Sequence, residues 1–168
     1  MKYGETGAMM NQVILGDKLT LSYPDGFHVM DSAEKSSMQF FGGSTGECLS
    51  DPERHILIYI GWKPIGSMSS LLINAKDASK KMEASIRKPL QNYGYHLDGF
   101  AAKDVRGEQA EGFRYEYGSQ GIDMYGESYA IKHERKLYYL NFYARRELLE
   151  ESLDVWSMIL SSAKWGLK

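Results

Sequence analysis

Phe113-Arg-Tyr-Glu-Tyr117, Glu127-Ser-Tyr-Ala-Ile-Lys132 and Leu137-Tyr-Tyr-Leu-Asn-Phe-Tyr143 are rich in the aromatic and aliphatic side chains of strands, and their reading decides the fold. His133-Glu-Arg-Lys136 turns the second run back into the third, which makes an antiparallel hairpin. Behind it, Leu148, Leu149, Ser152, Val155, Trp156, Ile159, Leu160 and Ala163 recur at helical spacing. Glu147, Glu150, Glu151 and Asp154 crowd the end of that helix where the backbone dipole is positive, and Lys164 stands where it is negative. Antiparallel strands followed by an amphipathic helix predict an α+β sandwich.

Working outward from this half, Asn74 caps a second helix with Asp77 three positions on, and Ala75, Ala78, Met82, Ile86 and Leu90 fall on one of its faces. Pro89 sits late in it and Gly94 follows, so it ends near Tyr93. Leu97 to Lys103, Gly107 to Tyr117 and Met124 to Lys132 read as strands. His55 to Trp62 is apolar nearly throughout, which suits a central strand covered on both faces. Val13 to Leu15 and Leu19 to Tyr23 form a small hairpin around Gly16-Asp17. Phe27 to Met30 and Met38 to Phe41 read as short strands, and Gly42-Gly-Ser-Thr-Gly46 with Ser50-Asp-Pro52 as a longer irregular connection.

A chain of 168 residues with no linker or low-complexity segment is expected to form one domain over 11–168 behind a disordered leader over 1–10. A globule of that size buries about 70% of the surface its unfolded form exposes. A net charge of -2 gives no global electrostatic case for nucleic acid or an anionic membrane. Cys48 is the only cysteine, so an intramolecular disulfide is excluded. No apolar run approaches the length of a membrane span, and the chain as it stands reads as cytoplasmic. A secreted or envelope domain whose signal peptide has been removed has the same composition.

The order of these elements, with the phrases Tyr23-Pro24-Asp25-Gly26-Phe27 and Ser161-Ser-Ala-Lys-Trp165, resembles the PsbP-like superfamily. That superfamily includes DcrB-type bacterial domains and a Ran-binding nuclear import factor. The resemblance implies a curved, mostly antiparallel sheet sandwiched with a middle helix and a C-terminal helix. It also implies a binding, assembly or chaperone-like role more than an enzymatic one. Some DcrB-type members are envelope lipoproteins, and this sequence lacks a lipoprotein cysteine near its start.

Several residue groups carry a chemical reading beside a structural one. The loop Gly42 to Gly46 has glycines for an anion cradle, but Glu47 follows where a phosphate loop needs Lys. Cys48 and His55 lie in one stretch, where an imidazolium would activate a thiolate. His28, His55, His96 and His133, with Asp25, Asp31 or Asp98, lack the close-paired spacing of a metal site. No cofactor or metal is expected. Lys76, Lys80 and Arg87 share a helical face with Glu83, and that face suits an acidic partner or plain solvation. Of the rings, Tyr139 and Tyr143 point opposite to Tyr138 and Phe142, so one set is available to line an uncovered surface. The expected function is a non-enzymatic module that takes a protein or peptide through Tyr139, Tyr143, Lys76, Lys80 and Arg87. A small hydrolase using Cys48 or a His-Asp pair is the competing expectation.

Overall fold

The three aromatic runs lie in the middle of a seven-stranded antiparallel sheet in the computed structural model, which describes residues 11–36 and 45–166. The strands are β1 (Asn11–Leu15), β2 (Leu19–Tyr23), β3 (His28–Val29), β4 (Gly46–Asp51), β5 (Ile56–Pro64), β6 (His96–Val105), β7 (Glu108–Ser119), β8 (Ile122–His133), β9 (Lys136–Arg145) and β10 (Lys164–Trp165). The helices are α1 (Ser32–Ser36), α2 (Ser69–Leu72), α3 (Ala75–Leu90) and α4 (Leu149–Ser161). The large sheet runs β3-β4-β5-β9-β8-β7-β6, and a separate small sheet runs β1-β2-β10.

Strand alternation sorts the core into two layers. On one face Ile58, Ile60, Tyr129, Ile131, Tyr138, Leu140 and Phe142 meet Val155, Trp156, Ile159 and Leu160 of α4, together with Leu15, Leu19 and Leu21 of the small sheet. On the other, Phe113, Tyr115, Ala130, Leu137 and Tyr139 meet Ala78, Met82 and Ile86 of α3. The sheet is therefore sandwiched between the middle and C-terminal helices, as the sequence predicts. The N-terminal hairpin is no part of the main sheet: β2 pairs with β10, and Ser162 Oγ accepts from Ser22 N at 2.8 Å, so both chain ends help roof the α4 face.

Two glycines of the sheet are required by space. An added Cβ at Gly112 would meet the Ser128 carbonyl oxygen at 2.1 Å, and one at Gly126 would meet Cζ of Tyr115 at 2.1 Å. Each glycine lies directly opposite a tyrosine, Gly112 against Tyr129 and Tyr115 against Gly126, and the rings lie over the gaps. The Asn74 side chain accepts from Asp77 N at 2.8 Å and starts α3 as expected. Beyond its end the chain makes a short 3₁₀ turn, Gln91–Tyr93, and leaves through Gly94 at φ 71°.

The irregular connection expected before residue 52 is corrected: Gly46–Asp51 forms β4 on the flank of β5. Cys48 and Leu49 point to opposite faces and are both fully buried, so sheet pairing overrides the glycine and serine content of the stretch. The expected strand Met38–Phe41, the glycines 42–43 and the leader over 1–10 lie outside the described residues.

Candidate functional site

After Pro64 ends β5, the chain crosses one end of the sheet on the α3 side. Ile65 is buried there against Leu137 and Tyr139, and Ile65 N donates to the Arg135 carbonyl at 2.7 Å. The next residues form the single turn of α2, held down by the ammonium of Lys132, which donates to the Ser70 carbonyl. This anchoring fixes a lip on which Met68, Leu71 and Leu72 are 82%, 86% and 82% exposed. Ile73 and Ala75 then return to the core, and α3 begins. At the same end of the sheet lies a shallow depression of about 820 Å³, lined by Pro64, Ile65, Lys18 and the β8–β9 turn His133-Glu-Arg-Lys136.

The surroundings of the lip are basic. Lys76 and Lys80, one helical turn apart on α3, are exposed and form no ion pair among the described residues. Arg87, further along, is engaged with Glu83 at 3.2 Å. Glu83 is buried and also accepts from the Tyr95 hydroxyl at 2.7 Å, which places it beneath the helix rather than on its solvent face. Tyr139 forms part of the floor next to Ile65, with the Lys63 ammonium 5.8 Å from its ring centroid. Tyr143 lies further down the same sheet face, 9% exposed, and its hydroxyl faces Tyr117, Cys48, Tyr115 and Tyr59. Burial pushes its pKa well above the usual phenol value. The Tyr115 hydroxyl is close to Ser128 and Tyr143 yet meets no partner with good hydrogen-bond geometry. Of the five side chains singled out in the sequence, Lys76, Lys80 and Tyr139 thus gather at the lip end of the α3 side, and Tyr143 and Arg87 stand away from it.

Cys48 packs against Met30 and Tyr59, and burial pushes its thiol up to about 12. The charged groups acting on it are Lys35, Glu34 and Glu47, with no histidine among them. The thiolate fraction at neutral pH is therefore very small, and alkylation by iodoacetamide at pH 7.5 is expected to be at least about a hundredfold slower than for a free cysteine. A rate matching the free amino acid would contradict this burial. Three of the four histidines are engaged separately, His28 with Glu34 at 2.9 Å, His133 with Glu108 at 2.6 Å and His96 with Asp98 at 3.6 Å, and the fourth, His55, is not among the groups acting on Cys48. Among the described residues no group of three or more His, Cys, Asp or Glu side chains could hold a metal ion.

On the α4 side, beyond the edge of that helix, a cleft of about 360 Å³ opens over β6, β7 and β8. Its floor is Glu127, 4% exposed, which accepts from the hydroxyls of Tyr125 at 2.8 Å and Tyr129 at 2.7 Å and from Trp156 Nε1 at 3.2 Å. Burial, and next to it the nearby carboxylate, raises the pKa of both tyrosines. The sequence contains a signal for this site that strand reading alone passes over: Glu127 has the parity of Tyr125, Tyr129 and Ile131, so a carboxylate falls on the apolar side of its strand. The lip has a fainter one, because Met68 to Leu72 reads as core and only the fold leaves it outside.

No family model matches the chain, and no curated protein does. Solved structures do. The solution structure of cyanobacterial PsbP (CyanoP) from Synechocystis sp. PCC 6803 superposes with a TM-score of 0.67 at 14% identity, covering 92% of this chain and 91% of that one. LpqN of Mycobacterium tuberculosis, described as involved in cell envelope biogenesis, gives 0.58 at 17% identity over 94% and 90%. A protein of Bacteroides thetaiotaomicron VPI-5482 gives 0.55 at 8% identity over 92% of this chain and 50% of that one. At these identities what is shared is architecture, and near-complete mutual coverage by the first two establishes that this chain has the PsbP-like fold.

Proposed function

We propose that this chain is a non-enzymatic binding or assembly module that takes an apolar segment with acidic flanks from another protein. The observation that carries the reading is the lip. Burying a Leu or Met side chain is worth about 1.5–3 kcal/mol, and here three of them are held in solvent by a backbone anchor while neighbouring Ile65 and Ile73 are packed. A partner that covers Met68, Leu71 and Leu72 recovers that energy. Lys76 and Lys80, exposed on the first turns of α3, select for negative charge around its apolar anchors. Tyr139 supports the surface from beneath, whereas Tyr143 is buried and Arg87 is engaged with Glu83, so neither is part of it. The likeness to LpqN makes the cell envelope the first place to look for the partner, beside the cytoplasm that composition suggests.

The test is capture from the native cell lysate by the tagged protein beside two variants, Leu71→Asp/Leu72→Asp and Lys76→Glu/Lys80→Glu. All four positions are exposed, so stability should change by no more than about 0.5 kcal/mol. The same partner should be lost from both variants, with the aspartate pair weakening binding by about 2 kcal/mol or more, close to thirtyfold. A partner retained equally by the Leu71→Asp/Leu72→Asp protein would place recognition elsewhere.

A further inference from the structure

The cleft beside α4 poses a charge problem that the fold leaves open. Glu127 is buried without an ion-pair partner among the described residues, and its compensation comes from three neutral donors. A carboxylate offers about four acceptor positions; two donors converge on Oε1 and one reaches Oε2, so one position on Oε2 remains. At the mouth stand two cations. Arg114 lies directly across the β7–β8 ladder from Glu127 and is exposed; its side chain forms no ion pair among the described residues, and its charge acts on Tyr125 and Tyr129 of the cleft. The Lys103 ammonium lies 5.5 Å from the centroid of the Tyr129 ring and likewise makes no ion pair.

We propose that this cleft binds a small zwitterion of the free amino acid type. A purely cationic ligand drawn to Glu127 would meet Arg114 and Lys103 as like charges, and a purely anionic one drawn to those two would meet Glu127. A ligand carrying both charges a few ångströms apart satisfies both ends. Its ammonium donates to the remaining position on Glu127 Oε2, the oxygen that Tyr125 rather than Tyr129 already serves. Its carboxylate takes the planar fork of Arg114, with Lys103 as the second positive charge. A volume of about 360 Å³ is at the small end of ligand sites and suits a single amino acid rather than a peptide. The site is on the opposite sheet face from the lip and stands independently of the partner reading.

The test is a thermal-shift screen of the whole chain with the twenty free amino acids, followed by calorimetry on the best binder, its decarboxylated amine and its deaminated acid. Binding of the amino acid about tenfold or more tighter than either half is expected. Arg114→Gln, at an exposed position that the fold does not depend on, should cost about tenfold, and Glu127→Gln should abolish binding. Should Glu127→Gln unfold the chain, Arg114→Gln and Lys103→Gln decide alone. The proposal is overturned if no amino acid binds, if the amine or the acid binds as tightly as the zwitterion, or if affinity is unchanged in Arg114→Gln.

Discussion

Trp156→Ala is expected to destabilise the chain by about 3–5 kcal/mol, lowering the melting temperature by roughly 6–20 °C. Trp156 is 1% exposed at the centre of the α4 stripe and stacks on Phe142 with ring centroids 5.2 Å apart and planes 13° from parallel. Its removal takes away the largest fully buried side chain that the C-terminal helix sets against the sheet, and it strips one donor from Glu127 Oε1, leaving Tyr129 alone on that oxygen. Trp156→Phe keeps much of the packing and loses the N–H, so it should cost nearer the about 1–3 kcal/mol of an under-satisfied buried acceptor. Urea unfolding of the two variants separates the contributions. A loss below about 1 kcal/mol in Trp156→Ala would mean that α4 is not sealed against the sheet.

Gly112→Ala and Gly126→Ala are expected to cost at least the upper end of the about 1–3 kcal/mol typical of overpacking, each by adding one methyl group. At Gly112 the obstacle is backbone, the Ser128 carbonyl oxygen at 2.1 Å, and it can move only by opening the β7–β8 ladder. At Gly126 it is the fully buried Tyr115 ring, boxed in by Phe113, Tyr117 and Tyr95 at centroid distances of 5.6, 5.9 and 5.5 Å. Neither glycine has the positive φ that would exclude alanine on conformational grounds, so the penalty is one of space alone. Gly118→Ala is the control: its nearest neighbour would be the Tyr93 carbonyl oxygen at 3.7 Å, and stability should stay within about 0.5 kcal/mol. Equal melting temperatures for all three variants would contradict the register of β7 against β8.

The fold was legible wherever the chain keeps one period for long enough. The hairpin read over Glu127–Lys132 and Leu137–Tyr143 is β8 and β9, lengthened at both ends, and the parity that separates Tyr139 and Tyr143 from Tyr138 and Phe142 is the parity that assigns them to different sheet faces. The capped middle helix was visible because Asn74, Asp77 and Gly94 act locally. β4 was not visible because its signal is only two apolar residues in a polar stretch, and the partnership with β5 that makes it a strand is tertiary. The same distinction explains the surface. Lys76 and Lys80 can be read from helical spacing, whereas nothing in Met68-Ser-Ser-Leu-Leu72 says that it is held outside: that depends on Lys132, more than fifty positions away, fixing the Ser70 carbonyl. Glu127 stood in plain view as a strand residue; its role emerges only when Trp156 arrives from another element to donate to it.

A photoreactive leucine analogue at position 71, irradiated in the native cells, tests the functional account most directly. Ile14 of β1, 57% exposed against 86% for Leu71, is a matched apolar control on the other side of the molecule. A discrete protein adduct at position 71, absent at position 14 and diminished by Lys76→Glu/Lys80→Glu, is the expected result. Adducts of equal yield at both positions, or none at position 71, would contradict recognition through the lip.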